Sequence, residues 1–283
     1  MPTAQMLLKE FGRIKTLPRV AIRLTKLISD EKSTMKDFEE VITLDPTLVL
    51  RLLKAVNSPY YGLREKVDSI SRAVVFVGMK NLRNMILATA LGEVFEGGSH
   101  EDISSRPQLW LHSAAVSVFS KMIAERIFGR AGEDAFLCGI LHNIGMIIED
   151  QVAGDLFIQA CRAYKESSMP FIEIERTLIG ADHCETGYLL ACEWGLSRDV
   201  REGIRDHHET QKEFPPSSMT GMIRTAEYLV SKLNYTAMPG MRVMPFSGLS
   251  AYLRNNLDEY KALLADLPDE MTKAKEIYET QME

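Results

Sequence analysis

The chain has 283 residues, of which 46% are apolar and 25% charged, and its formal charge is −6. That is the makeup of an ordinary globular protein of one large domain or two smaller ones. The acidic balance excludes a general electrostatic pull toward nucleic acid or an anionic membrane. Cys138, Cys161, Cys184 and Cys192 are scattered without a C-x-x-C pair, which argues for free thiols rather than a disulfide framework or a zinc knuckle. Lys9, Glu10, Arg13 and Lys15 leave no room for the apolar part of a signal peptide. The longest apolar stretches, Asn84 to Gly92 and Leu109 to Ser120, fall short of the roughly 20 residues that span a bilayer. A cytoplasmic protein is expected.

Helical punctuation recurs along the chain. Pro18 can open a helix whose apolar face is Val20, Leu24, Leu27 and Ile28. Thr34 and Asp37 form a capping-box pattern ahead of Phe38, Val41 and Ile42. Asp45 followed by Pro46 reads as a helix cap and first turn, leading into Leu48 through Val56, and Asn57-Ser58-Pro59 stops that helix. Ser69 can cap Ile70 to Val77, with Gly78 and a further helix to about Leu91. This helix–Gly–helix offers phosphates only Lys80 and Arg83, so it reads as a packing hairpin and not as a DNA-reading one.

The polar stretch from Glu96 to Arg106 reads as a linker. Long helices are expected near Leu109–Phe128 and Glu133–Glu149. Shorter ones follow near Asp155–Lys165, Phe171–Ile179, His183–Trp194, Arg198–His208 and Met219–Leu233. Asn234 to Phe246, with Pro239, Gly240 and Pro245, reads as a loop, and a charged helix runs from Leu249 to the end. No run alternates convincingly like strands, so the class is all-α. The fifteen methionines read mainly as core fillers, and Trp110 and Trp194 as core.

Five of the six histidines, His112, His142, His183, His207 and His208, fall in helix-like apolar contexts. Imidazole is the commonest side-chain metal ligand, so their gathering suggests a metal and phosphate site or the remains of one. The residues alone leave both readings open, because each histidine could equally be a core residue satisfied by a neighbouring backbone or carboxylate group.

Several ordered motifs resemble the HDOD proteins, the HD-related output domains of bacterial signalling. They are L-D-P-T-L-V-L-R-L-L-K-A-V-N-S from Leu44 to Ser58, S-I-S-R-A-V-V-F-V-G-M-K-N-L from Ser69 to Leu82, and C-G-I-L-H-N-I-G from Cys138 to Gly145. The segments from Gly180 to Leu196 and from Ile204 to Glu209 complete the set, and the likeness covers roughly residues 10 to 210. It implies a two-lobed helical fold, with one lobe over residues 1–96, an HD-like lobe over 97–233, and a loop and C-terminal helix over 234–283.

In the metal-binding HD phosphohydrolases, histidines and aspartates from several helices hold divalent ions. The resemblance carries that role to His112, His142, His183, His207 and His208. Asn143 stands where the doublet aspartate is usual, Glu227 stands where a second aspartate is usual, and the G-Y-P triplet of the HD-GYP relatives is absent. A carboxylate can bridge two ions, whereas an amide offers one neutral oxygen. The seven positions His112, His142, Asn143, His183, His207, His208 and Glu227 therefore make a degenerate HD site. It suits one transition metal (iron, zinc, manganese or nickel) better than a multinuclear centre.

The function so implied is a non-catalytic bacterial regulatory module acting through contacts with other signalling proteins, with a pocket for a metal or a small phosphorylated ligand. No catalytic residue is assigned. The rival is a metal-dependent phosphohydrolase of a nucleotide or cyclic dinucleotide. Neither nucleic acid nor a membrane is expected as a partner.

Overall fold

The structure is a computed structural model that describes residues 2–14, 33–42, 46–57, 65–82, 84–85, 99–100 and 104–279, together with Arg23 and Leu27. The chain is all-α. Among the described residues the only extended pairing is a two-residue antiparallel ladder, β1 (Ser99–His100) against β2 (Ser104–Ser105), inside the expected linker.

The N-terminal helices are α1 (Ala4–Ile14), α2 (Met35–Ile42), α3 (Pro46–Val56) and α4 (Ile70–Val77). The capping box of α2 forms in full. The Thr34 amide donates to Asp37 Oδ2 at 2.8 Å, and the Asp37 amide donates to Thr34 Oγ1 at 3.3 Å. Pro46 opens α3, and Ser69 caps α4 by accepting from the Arg72 amide. Asn57 fastens the end of α3 to the approach of α4, since its amide donates to the carbonyls of Leu53 and Val67 and accepts from the Val67 amide. Lys80 pairs with Asp134 at 3.4 Å across the two segments. Asp45, Ser58 to Tyr61, Arg83 and the Pro18 helix face other than Leu27 lie outside the described residues.

The rest of the chain builds around α5 (Arg106–Met122), which is buried on nearly every side from His112 to Ser120. A helix covered all round belongs to the middle of a core. The helix leaves through a π turn, Ile123–Ile127, where the Phe128 amide reaches back to the Ile123 carbonyl, and Gly129 then turns with a positive φ of 58°. Around it pack α6 (Glu133–Leu141), α12 (Met219–Ser231) and α14 (Leu257–Glu279). A second tier consists of α7 (Ile144–Val152), α8 (Gly154–Glu166), α9 (Phe171–Leu178), α10 (His183–Glu193) and α11 (Arg198–Asp206). Helix α1 lies against α7 and α10, and α14 reaches α3. The C-terminal helix is broken at Asn256, between α13 (Leu249–Asn255) and α14.

Two expected helices differ in a way that matters. The run Glu133–Glu149 is not continuous, because it turns at His142 and Asn143 between α6 and α7. Helix α11 ends at Asp206, which leaves His207 and His208 in the turn after it. In both places apolar spacing continues through the break, so periodicity alone joins what a tight turn separates.

Cys138, Cys161 and Cys184 are buried, and burial pushes all three thiols above the ordinary range, to about 12 for Cys161 and about 11 for Cys184. Only Cys192 is partly exposed. A thiolate is the reacting species, so a disulfide reagent added to the native protein should titrate about one thiol rapidly and all of them after denaturation. Rapid reaction of a second native thiol would contradict this packing.

Candidate metal and ligand pocket

Five separate elements deliver the predicted residues to one place. His112 comes from the middle of α5, and His142 and Asn143 from the turn between α6 and α7. His183 begins α10, His207 and His208 follow α11, and Glu227 lies on α12. His112, His142, Asn143, His183, His207 and Glu227 are buried, and His208 is partly so. The ring centroids of His112 and His142 are 5.2 Å apart, those of His142 and His207 5.1 Å, and those of His207 and His208 4.2 Å.

The hydrogen bonds behind the rings decide what they present in front. The Nδ1–H of His112 donates to the Tyr235 carbonyl at 2.9 Å, that of His142 to the Gly139 carbonyl at 2.7 Å, and that of His207 to the Ile204 carbonyl at 2.7 Å. A carbonyl oxygen can only accept, so Nδ1 carries the proton and Nε2 of each neutral ring carries a lone pair. Burial keeps these rings neutral. It lowers His112 to about 4, and it holds His142, His207 and His208 well below the ordinary histidine range, helped by their mutual repulsion.

His183 differs. Burial alone would depress it, but Cys184, Glu149 and Asp182 hold it up at about 9, and its Nδ1 meets both carboxylate oxygens of Glu175 at 2.7 and 2.9 Å. Fixing a ligand histidine through its far nitrogen to a carbonyl or a carboxylate is the usual support of a metal site.

One contact makes the pocket's demand plain. Nε2 of His112 and Nε2 of His142 stand 3.2 Å apart. Both Nδ1 protons are committed to carbonyls, so two lone pairs face each other with no proton between them. A cation relieves that repulsion. Glu227 completes the set, since ligand atoms of His112, His142 and Glu227 lie within 4.8 Å of one another. Burial pushes the Glu227 carboxyl up to about 7 against the pull of His183 and Arg224, and its Oε1 has no hydrogen-bond partner among the described residues. The residues therefore fit a divalent ion. Two imidazoles and a glutamate are a donor set that zinc accepts in hydrolytic enzymes, and the ion would supply Lewis acidity to a bound oxyanion.

A second group, His183, His207 and His208, also lies within 4.8 Å. It contains no carboxylate. His142 of one group and His207 of the other have ring centroids 5.1 Å apart, so filling both groups would bring two dications close together. At about 5 Å they would repel by more than about 10 kcal/mol at an effective dielectric near 20 unless an anion bridged them. Asn143 follows His142 directly in the turn between α6 and α7 and offers an amide where such an anion would be needed. Its side chain is fully buried, and neither its oxygen nor its nitrogen has a hydrogen-bond partner among the described residues.

Sequence reasoning did not single out Glu175 and Arg224. Glu175 lies on the buried face of α9 with Phe171 and Ile174, and an acid at helical spacing within an apolar stripe is the signal that could have found it. Arg224 lies three residues before Glu227 on the same helix and is nine-tenths buried, with 9% exposure.

The fold has solved counterparts. It superposes on an HDOD domain protein from Geobacter sulfurreducens with a TM-score of 0.71 at 24% identity, over 95% of this chain and 96% of that one. A candidate signal transduction protein from Marinobacter aquaeolei VT8 gives 0.69 at 21% identity, over 93% of this chain and 59% of that one. A candidate metal-dependent phosphohydrolase from Shewanella amazonensis SB2B gives 0.61 at 20% identity, over 97% of both chains. At such identities the likeness is one of fold. A curated but uncharacterized protein of Treponema pallidum (strain Nichols) is 27% identical over 232 residues, 80% of this chain, and the chain spans 44% of that relative's length. The HDOD domain model itself matches residues 14–210, well over half of the sequence and nearly every motif quoted above, and on that ground the chain belongs to the HDOD domain family.

Proposed function

We propose that this chain is a regulatory HDOD module whose HD-type pocket binds one divalent metal, on His112, His142 and Glu227, and a small phosphorylated ligand, without turning that ligand over. The observation that carries the reading is the buried Asn143 amide next to His142 in the histidine cluster, where paired-ion chemistry would need an anion. Ligand binding would act by favouring whichever conformation of the module binds it better. Other signalling proteins would then read that conformation through surface contacts, for which Leu50 on α3 and Val75 and Phe76 on α4 supply exposed apolar side chains. No helix among the described residues is long and apolar enough to cross a membrane.

The rival reading, a metal-dependent phosphohydrolase, draws support from one observation, since Glu227 brings a carboxylate to the same cluster that Asn143 leaves without one. Protein loaded in turn with manganese, iron and zinc should be assayed on a cyclic dinucleotide and on bis(p-nitrophenyl) phosphate. The regulatory reading expects no release above the metal-only background. Turnover that disappears in His142→Ala would replace it with the hydrolase.

A further inference from the structure

Beyond the histidines, a cavity of about 570 Å³ opens over His207, His208 and Glu227, walled by residues 164–173 on one side and by residues 240–244 on the other. Cavities of this size commonly hold small organic ligands. The Arg242 amide donates to the Tyr164 hydroxyl at 3.0 Å, which ties the two walls together.

Arg224 lines this cavity. Its guanidinium carbon sits 4.7 Å from the ring centre of Phe246 and 5.9 Å from that of Phe214. The rings hold the charged group in place and the carboxylates of Glu227 and Glu209 lie near enough to act on its charge, yet no hydrogen bond to a described residue engages its N–H donors. Buried polar groups are hydrogen-bonded as a rule, and buried donors left without an acceptor are costly. Guanidinium presents a rigid fork of five N–H donors, which matches the oxygens of a phosphoryl group two at a time. The cavity also carries an apolar wall of Phe171, Met241 and Met244, the last 78% exposed at the mouth. Such a wall asks for an organic body attached to the anion.

From this we infer that Arg224 is the anion-gripping residue of the pocket, and that the ligand class is an organic phosphoester whose phosphoryl oxygens meet the guanidinium while its apolar body rests on Met241 and Met244. This rests on reading the cavity as a ligand site. It does not require the metal, because Arg224 belongs to neither group of metal-ligating side chains.

The test is calorimetric titration of the full chain with phenyl phosphate, inorganic phosphate and benzoate, both as isolated and after chelation. Wild-type protein should bind phenyl phosphate saturably below about 10 mM, more tightly than inorganic phosphate and more tightly than benzoate, with and without metal. Arg224→Gln should weaken phenyl phosphate by at least about 30-fold, the usual scale for removing one partner of a buried charged contact. It should keep the wild-type metal content. Met244→Asp sets a carboxylate at the exposed mouth without touching the core, and it should also weaken phenyl phosphate, so the inference stays testable if Arg224→Gln fails to fold. Equal affinity in Arg224→Gln, equal affinity for benzoate, or no saturable binding to wild type would each overturn the assignment. So would loss of phenyl phosphate together with the metal, because the anion would then belong to the ion. The metal reading fails separately, on metal content alone.

Discussion

Glutamine at position 227 should empty the metal site. Wild-type protein, loaded and then freed of excess ion, should carry about one equivalent of divalent metal, and Glu227→Gln less than about a tenth of that. Glutamine keeps the shape of the side chain but removes the only anion in the group His112, His142 and Glu227. The fold should survive, because a carboxyl that burial has pushed up to about 7 gains little from being charged there.

Heat denaturation gives the second readout. An ion present at about a thousand times its dissociation constant stabilises the native state by roughly 4 kcal/mol, which in a chain of this size is on the order of 10 °C. Chelation should therefore lower the wild-type midpoint by that amount and leave Glu227→Gln where it is. The reciprocal change is Asn143→Asp, which restores an anion beside His142 and should let a second equivalent bind at His183, His207 and His208. Two equivalents in the wild type would refute the role given to Asn143. So would an Asn143→Asp variant that still binds one.

Most of the helical framework follows from local chemistry that can be read directly. The Thr34–Asp37 box, Ser69 and Asp182 cap where such residues should, Pro46 opens α3, and the Asp182 carboxylate accepts the Glu185 amide at the head of α10. The five histidines were legible as a set because their motifs appear in family order, and the structure gathers them with Glu227 into two adjoining groups.

What the sequence concealed has a common cause. The turn at His142 and Asn143, and the early end of α11 before His207, interrupt stripes whose apolar spacing runs on unbroken. A turn inside a core is fixed by what packs across it, and that information is not local. Glu175 and Arg224 escaped notice for the same reason. A charged residue in an amphipathic helix reads as solvent-facing until the partner that buries it is known, here His183 for Glu175 and the rings of Phe214 and Phe246 for Arg224.

That dependence on packing makes Gly145 the position where a single methyl group should do most harm. Helices α7 and α10 cross backbone to backbone, and a Cβ at Gly145 would overlap the carbonyl of His183. On the opposite helix a Cβ at Gly187 would come to 3.1 Å from a methyl carbon of Ile204 and 3.3 Å from one of Ile144, so that side is also tight, though against side chains and not backbone. His183 opens α10 and is tied through its ring to Glu175. Its carbonyl therefore cannot retreat without moving the His183 ring and the buried acid behind it. Overpacking where the obstacle is backbone costs about 3 kcal/mol, and the unfolding midpoint of Gly145→Ala should fall by on the order of 10 °C.

Gly154→Ala is the matched control. It lies at the start of α8 with open space around the added Cβ, and there the same change should be neutral or stabilise by about 0.5 kcal/mol through the unfolded chain. Metal retention should follow the same order, kept in Gly154→Ala and weakened in Gly145→Ala, because prying α7 from α10 separates His142 from His183. Equal stability and equal metal content in the two variants would mean that the helices do not meet at Gly145, and that the histidine cluster is not held by their contact.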